Sequence, residues 1–149
     1  MASAPRPVWG DLATTAFVES SHLFKSLDPD ARRDLLQVAT LSVLAAGETV
    51  RAEGDEAFYL VLDGSAAVLV PGRERPVEIA HLERGAFFGE GRVLGTGRAA
   101  ALSAVTEVTV VAFPAPVIAA IGERFPRVRK LLEAVLAARE RDASERLAS

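Results

Sequence analysis

Apolar positions recur along this chain with changing periods, and each change marks a new kind of structure. Over residues 12–40 the pattern is helical, with Phe17, His22, Leu23, Phe24 and Leu27 forming one apolar cluster. Asp28-Pro29 predicts a second helix, Asp28 as N-cap and Pro29 in the first helical position, with Leu35, Leu36, Val38 and Ala39 as its apolar face. From residue 41 the period shortens. Gly47 and Gly54-Asp55 bracket a strand over residues 49–52. Residues 58–62 and 66–70 are apolar runs joined by Asp63-Gly64, a dipeptide that predicts a hairpin. Residues 71–76 read as a polar loop, 77–82 as a strand and Glu83-Arg84-Gly85 as a turn. Residues 101–105 and 108–113 are two more strands, broken at Thr106-Glu107. Helical spacing returns after Pro114 with Val117, Ile118, Ile121 and Phe125. Pro126 then opens a last helix whose stripe is Val128, Leu131, Leu132, Val135 and Leu136.

The predicted fold is mainly β with flanking helices: N-terminal helices, seven or eight short strands in a sandwich or barrel, then two C-terminal helices. Residues 1–11 are expected to be a flexible arm, with Val8-Trp9 its only sizeable apolar group and Trp9 resting loosely on the domain. Residues 12–138 form the domain. Residues 139–149, charged with alternating sign, are expected to be a solvated helix or a frayed tail.

Composition narrows the function. The chain has 149 residues, half of them hydrophobic, enough for one domain with a real core. The net charge of −3 and the short basic clusters (Arg32-Arg33, Arg73/Arg75, Arg127/Arg129/Lys130) leave no footprint for nucleic acid. Cysteine is absent, which excludes disulfides and thiolate metal sites. No apolar signal core opens the chain, and the longest uncharged stretch, residues 108–122, is interrupted by Pro114 and Pro116. A cytoplasmic, non-membrane protein is therefore expected. The only histidines, His22 and His81, are far apart; His22 is expected to pack and His81 to be exposed. With no converging metal ligands, Ser/His/Asp pattern or P-loop, neither a metal site nor catalytic residues are expected.

The most informative stretch is Phe88-Gly89-Glu90-Gly91-Arg92-Val93-Leu94-Gly95-Thr96-Gly97-Arg98-Ala99-Ala100. Glu90 can accept from sugar hydroxyls, Arg98 presents a donor fork that matches a phosphate, and the glycines let backbone N–H groups approach an anion. Sugar and phosphate in one pocket describe a nucleotide.

Leu23-Phe24-Lys25-Ser26-Leu27, Gly47-Glu48, Glu53-Gly54-Asp55, Phe58-Tyr59-Leu60-Val61-Leu62-Asp63-Gly64 and Gly85-Ala86-Phe87-Phe88-Gly89-Glu90 followed by Arg98-Ala99-Ala100 occur in that order. Together they resemble the cyclic nucleotide-binding domain family of catabolite activator proteins and protein kinase A regulatory subunits, over residues 20–137. The resemblance implies a double-stranded β-helix, a jelly-roll-like β-roll. It implies that Glu90 accepts from the ribose 2′-hydroxyl, that Gly89 brings its backbone close to the sugar-phosphate, and that Arg98 pairs with the cyclic phosphate. The N–H groups of Ala99 and Ala100, with those opening the short helix after Glu90, complete the anion site. Alanine at position 99 leans towards cAMP over cGMP. The final helix covers the base, with Leu131, Leu132 and Val135 as lid positions, and in dimers of the family it pairs with its twin.

Two departures stand out. Only seven residues separate Glu90 from Arg98, fewer than is usual in the family, and Gly91 replaces a bulky apolar residue, which loosens the short helix. The reading that follows is a non-catalytic regulatory module without a cofactor. Its ligand is a cyclic mononucleotide, and its output runs through the C-terminal helices to an effector protein or to self-association as a homodimer. The departures motivate an alternative: a degenerate domain that binds no nucleotide and serves protein interaction or dimerisation.

Overall fold

Each helix of the N-terminal region begins where a side-chain oxygen caps it. The computed structural model describes residues 6–8, 10–51, 57–96 and 99–148. Its elements are β1 (Arg6–Pro7), α1 (Leu12–Ser20), α2 (His22–Lys25), α3 (Pro29–Val38), β2 (Thr40–Leu44), β3 (Thr49–Arg51), β4 (Ala57–Asp63), β5 (Ala66–Val70), β6 (Val77–Leu82) and β7 (Phe87–Phe88), then α4 (Glu90–Leu94), β8 (Ala101–Ala104), β9 (Val108–Pro114), α5 (Ala115–Arg124) and α6 (Pro126–Ala148). Asp11 accepts from the Thr14 N–H at 3.1 Å, Ser21 from Phe24 at 3.4 Å, and Asp28 from Ala31 at 2.8 Å. These bonds satisfy N–H groups that have no partner inside their helices. Asp28 and Pro29 take the predicted places.

The strands form two antiparallel sheets, one ordered β1-β2-β9-β4-β7 and the other β3-β8-β5-β6. The five-stranded sheet is the middle layer. Phe58, Leu60, Phe87, Val111 and Phe113 point to the helices and join Leu23, Phe24, Leu35, Ile118 and Leu132 in one core. Tyr59, Val61, Phe88, Val108 and Val110 point the other way and join Val68, Val70, Ile79 and Leu102 inside the roll. β4 and β9 are buried on both faces, which is why they read as unbroken apolar runs rather than as alternation.

Several expectations are corrected. Asp63-Gly64 does not close a hairpin: β4 pairs with β7 and β9, whereas β5 pairs with β6 and β8. The dipeptide instead carries the chain from one sheet to the other. Gly64 has φ +93°, and a Cβ there would lie 2.2 Å from the Glu107 carbonyl oxygen, so the glycine serves a close crossing of two corners. Residues 6–8 are not a loose arm. β1 pairs with β2, and Val8 is fully buried among the helices because an apolar side chain there completes that core. Trp9 lies outside the described residues. His22 is exposed on α2 while Leu23 and Phe24 turn inward, and Val38 is exposed while Leu35 and Leu36 are buried. His81 is exposed, as expected, and its Nε2 lies 2.6 Å from Ser65 Oγ.

The segment after residue 138 is also neither frayed nor wholly solvated. α6 continues to Ala148, and Ala143 is fully buried in the roll-side core. The stripe of Val128, Leu132 and Leu136 keeps its three- and four-residue spacing through Arg139 to Ala143, so the helix stays docked along one side. Among the described residues no helix is long and apolar enough to cross a membrane.

Candidate functional site

The turn from β7 into α4 sets the site. Gly89 is the N-cap of α4 with φ +108°, and Glu90, the first helical residue, is buried. α4 holds its turn despite Gly91. The Thr96 and Gly95 N–H groups both donate to the Gly91 carbonyl, and a Cβ at position 91 would lie 2.7 Å from the Thr96 carbonyl oxygen. The shortened segment thus folds back tightly onto α4, and Gly91 makes room for it.

Glu90 does not face the site unpartnered. Arg139, from α6, donates through Nη1 to Oε1 and Oε2 of Glu90 at 2.9 and 2.8 Å. Its Nη2 donates to the Phe87 carbonyl. The side chains are only 7% and 13% exposed, so this is a buried ion pair between residues far apart in sequence. An ionised carboxylate offers about four lone-pair positions. Arg139 occupies two of Glu90's, which leaves acceptor capacity on each oxygen.

Beside the pair lies a cavity of about 400 Å³, within the usual range of small-ligand sites. Val68, Val70, Ile79 and Phe88 form its apolar wall, Gly89 to Arg92 the cassette side, and Leu136, Arg139 and Glu140 the α6 side. Ala99 and Ala100 line its rim. Tyr59 stacks on Phe88 behind that wall, with ring centroids 6.5 Å apart. The arrangement can accept hydrogen bonds from hydroxyl groups at Glu90, pack a planar group on aliphatic walls, and bring α6 against whatever is bound.

The structure therefore brings together four of the predicted site residues: Gly89, Glu90, Ala99 and Ala100. Arg98 lies outside the described residues. Leu132 is buried in the helix-side core, Leu131 packs against that core and Val135 is half-buried, whereas Leu136, Arg139 and Glu140 line the cavity. The helix is docked so that its earlier turns pack on α5 and its later turns reach the roll. Arg139 was missed because it opens a run of alternating charge. The signal that finds it is its place in the register of the apolar stripe.

Comparisons with known proteins place this geometry. The chain is 39% identical over 98 residues to the cAMP-dependent protein kinase regulatory subunit of Emericella nidulans, a match covering 64% of this chain and 23% of that protein. It is equally similar to the regulatory subunit of Aspergillus niger. The chain spans about a quarter of the length of these relatives. Among solved structures, the catabolite activator protein of Thermus thermophilus matches with a TM-score of 0.65 and 28% identity, over 85% of this chain and 61% of that one. The regulatory domain of Toxoplasma gondii protein kinase A, crystallised with cAMP, has the same fold, with a TM-score of 0.62 and 23% identity over 88% of this chain and 48% of that one. The family model of the cyclic nucleotide-binding domain matches residues 41–125, more than half of the sequence. The β-roll with its flanking helices, the cassette turn after β7 and these matches agree, and the chain belongs to the cyclic nucleotide-binding domain family.

Proposed function

We propose that the cavity under the cassette binds a cyclic mononucleotide and that the domain acts as a non-catalytic regulatory module in the cytoplasm. The observation that carries this reading is Glu90, a buried carboxylate at the cavity wall, held by Arg139 from α6, which lines the same cavity. A ribose hydroxyl donates to the free lone pairs of Glu90. The phosphate sits towards Ala99 and Ala100, where Arg98, by its place in the cassette, supplies the cationic fork. The base lies against Val68, Val70 and Ile79 under Leu136 and Glu140. Alanine at position 99 favours cAMP over cGMP. The Emericella and Aspergillus relatives, named as regulatory subunits of a cAMP-dependent kinase, support the same ligand class.

Signalling follows from the shared walls. A ligand that touches α4 and α6 together favours the docked arrangement of α6 over any other, and it shifts the population only by that difference in affinity. The receiver is a separate effector protein or a second copy of the chain. Calorimetric titration with cAMP and cGMP tests the reading: heat is expected with both, stronger with cAMP, and no heat at millimolar ligand overturns it. Arg98→Ala is expected to abolish the heat.

One observation favours a second reading. Both oxygens of Glu90 already accept from Arg139, and the cassette is short. A domain that keeps this pair only to hold α6 in place would be an interaction module that binds no nucleotide. Sedimentation separates the two: a dimer indifferent to cAMP supports the second, and a nucleotide-dependent change in mass or compactness supports the first.

A further inference from the structure

A second hollow, of about 410 Å³, adjoins the first on the far side of the Ala99–Ala100 rim. Val70, Ala99 and Ala100 line both hollows. The register of β5 with β6 shifts between Val68 and Leu69, with Ile79 of β6 as the extra residue, while β5 keeps an unbroken register with β8. Val68 lines the first hollow, Leu69 the second and Val70 both: by the alternation of a strand Val68 and Val70 face into the roll and Leu69 faces out with Ala101, so the two hollows lie on the two faces of this sheet and meet at its end. The outer wall is the loop between β5 and β6. It is closed tightly on itself, since a Cβ at Gly72 would lie 2.5 Å from the Arg75 carbonyl oxygen and 2.8 Å from Val77 Cγ2. Pro71 and Pro76 stiffen it further.

The lining of this outer hollow has the mixed character that a nucleotide unit requires. Leu69, Pro71 and Pro76 give apolar surface for a ring face, Arg75 gives a guanidinium, and Thr49 and Glu74 give acceptors for hydroxyl or amino groups. Such surfaces bind flat polar molecules by stacking and edge hydrogen bonds. The outer hollow also meets the inner one at Ala99 and Ala100, where the phosphate of a bound nucleotide is placed. A ligand that extends through its phosphate passes from one to the other.

We propose that the two hollows form one two-lobed site that admits cyclic dinucleotides as well as cyclic mononucleotides. One nucleotide unit lies under the cassette, the second lies between the β5–β6 loop and β8, and the phosphate bridges cross the Ala99–Ala100 rim. Arg75 pairs with the outer phosphate or with the edge of the outer base. This inference rests on the nucleotide reading of the inner lobe.

The test is competition on the intact chain. Cyclic di-AMP and cyclic di-GMP are titrated against protein loaded with a fluorescent cAMP analogue, using wild type, Arg75→Glu and Thr49→Trp. The expected result is displacement by at least one dinucleotide. Each substitution is expected to weaken that dinucleotide about tenfold more than it weakens cAMP, the scale of one lost charge-assisted contact. Arg75 and Thr49 are both exposed, so neither change threatens the core. Binding of the cAMP analogue without displacement by either dinucleotide overturns the two-lobed site and leaves the inner lobe standing. Displacement that both variants leave untouched overturns it as well. If the analogue itself does not bind, the nucleotide reading falls and the second lobe falls with it.

Discussion

The two faces of the five-stranded sheet bury equally apolar residues for different ends. On the helix side, Phe24, Phe58 and Phe113 are all fully buried with Leu23, Leu35, Leu60, Ile118 and Leu132, and Phe24 and Phe113 meet with ring centroids 5.9 Å apart. On the roll side, valines and alanines predominate, and that core opens onto the cavity through Val68, Val70, Ile79 and Phe88. Large interlocking side chains give stability; smaller ones facing a cavity leave room for a ligand. Alternation along β7 lets a single strand do both, since Phe87 packs towards the helices and Phe88 lines the cavity. The ion pair of Glu90 and Arg139 stands where the two regimes meet.

The largest expected effect is on the closed side. Phe113→Ala should cost about 4 kcal/mol through a cavity that the helices cannot fill, lowering Tm by roughly 10 °C or more, with Kd for cAMP of the folded protein nearly unchanged. Calorimetry and titration of the same sample check this. A parallel loss of affinity would mean that the two faces are not independent.

Arg139→Ala should affect both sides. Removing one partner strands a buried carboxylate, at a cost of about 3 kcal/mol, and the ligand loses an oriented Glu90. The double variant Glu90→Leu with Arg139→Met sharpens the point: stability should return close to wild type, because an apolar pair of similar volume substitutes well for a buried ion pair, while nucleotide binding stays lost. Ala99→Trp should fill the open side alone. It is expected to weaken cAMP by more than about tenfold while Tm moves little, since position 99 is exposed. The smallest effect belongs to Arg129→Ala on the outside of α6. Its ion pair with Glu133 spans 3.7 Å between half-exposed side chains, so about 0.5 kcal/mol or less is expected in urea unfolding, and binding should not change.

Much of this architecture was legible in the sequence for identifiable reasons. Asp28-Pro29 announced α3 because capping chemistry is local. The apolar runs at residues 58–62 and 108–113 announced strands, yet not that β4 and β9 are partners, because pairing over such separations leaves no local trace. Asp63-Gly64 misled for the same reason: a glycine needed to pass another corner looks like one needed for a hairpin. In the site, Glu90 and its glycines were readable from the cassette. Arg139 was not, since a charge in a charged segment draws no notice until the helix is docked and its face is known. Nor was the docking of α6 legible, because the apolar stripe does not reveal which of its turns meets the roll and which meets α5.

Arg139 lies 49 residues beyond Glu90 in the chain. During synthesis, which runs from the N-terminus, the strands of the roll and the cassette turn exist well before the residue that neutralises the buried carboxylate. Until then Glu90 has every reason to stay in water, and the turn that carries it has no cause to settle. The binding wall is therefore completed last, by the arrival of α6, the same helix whose Val128 and Leu132 complete the helix-side core.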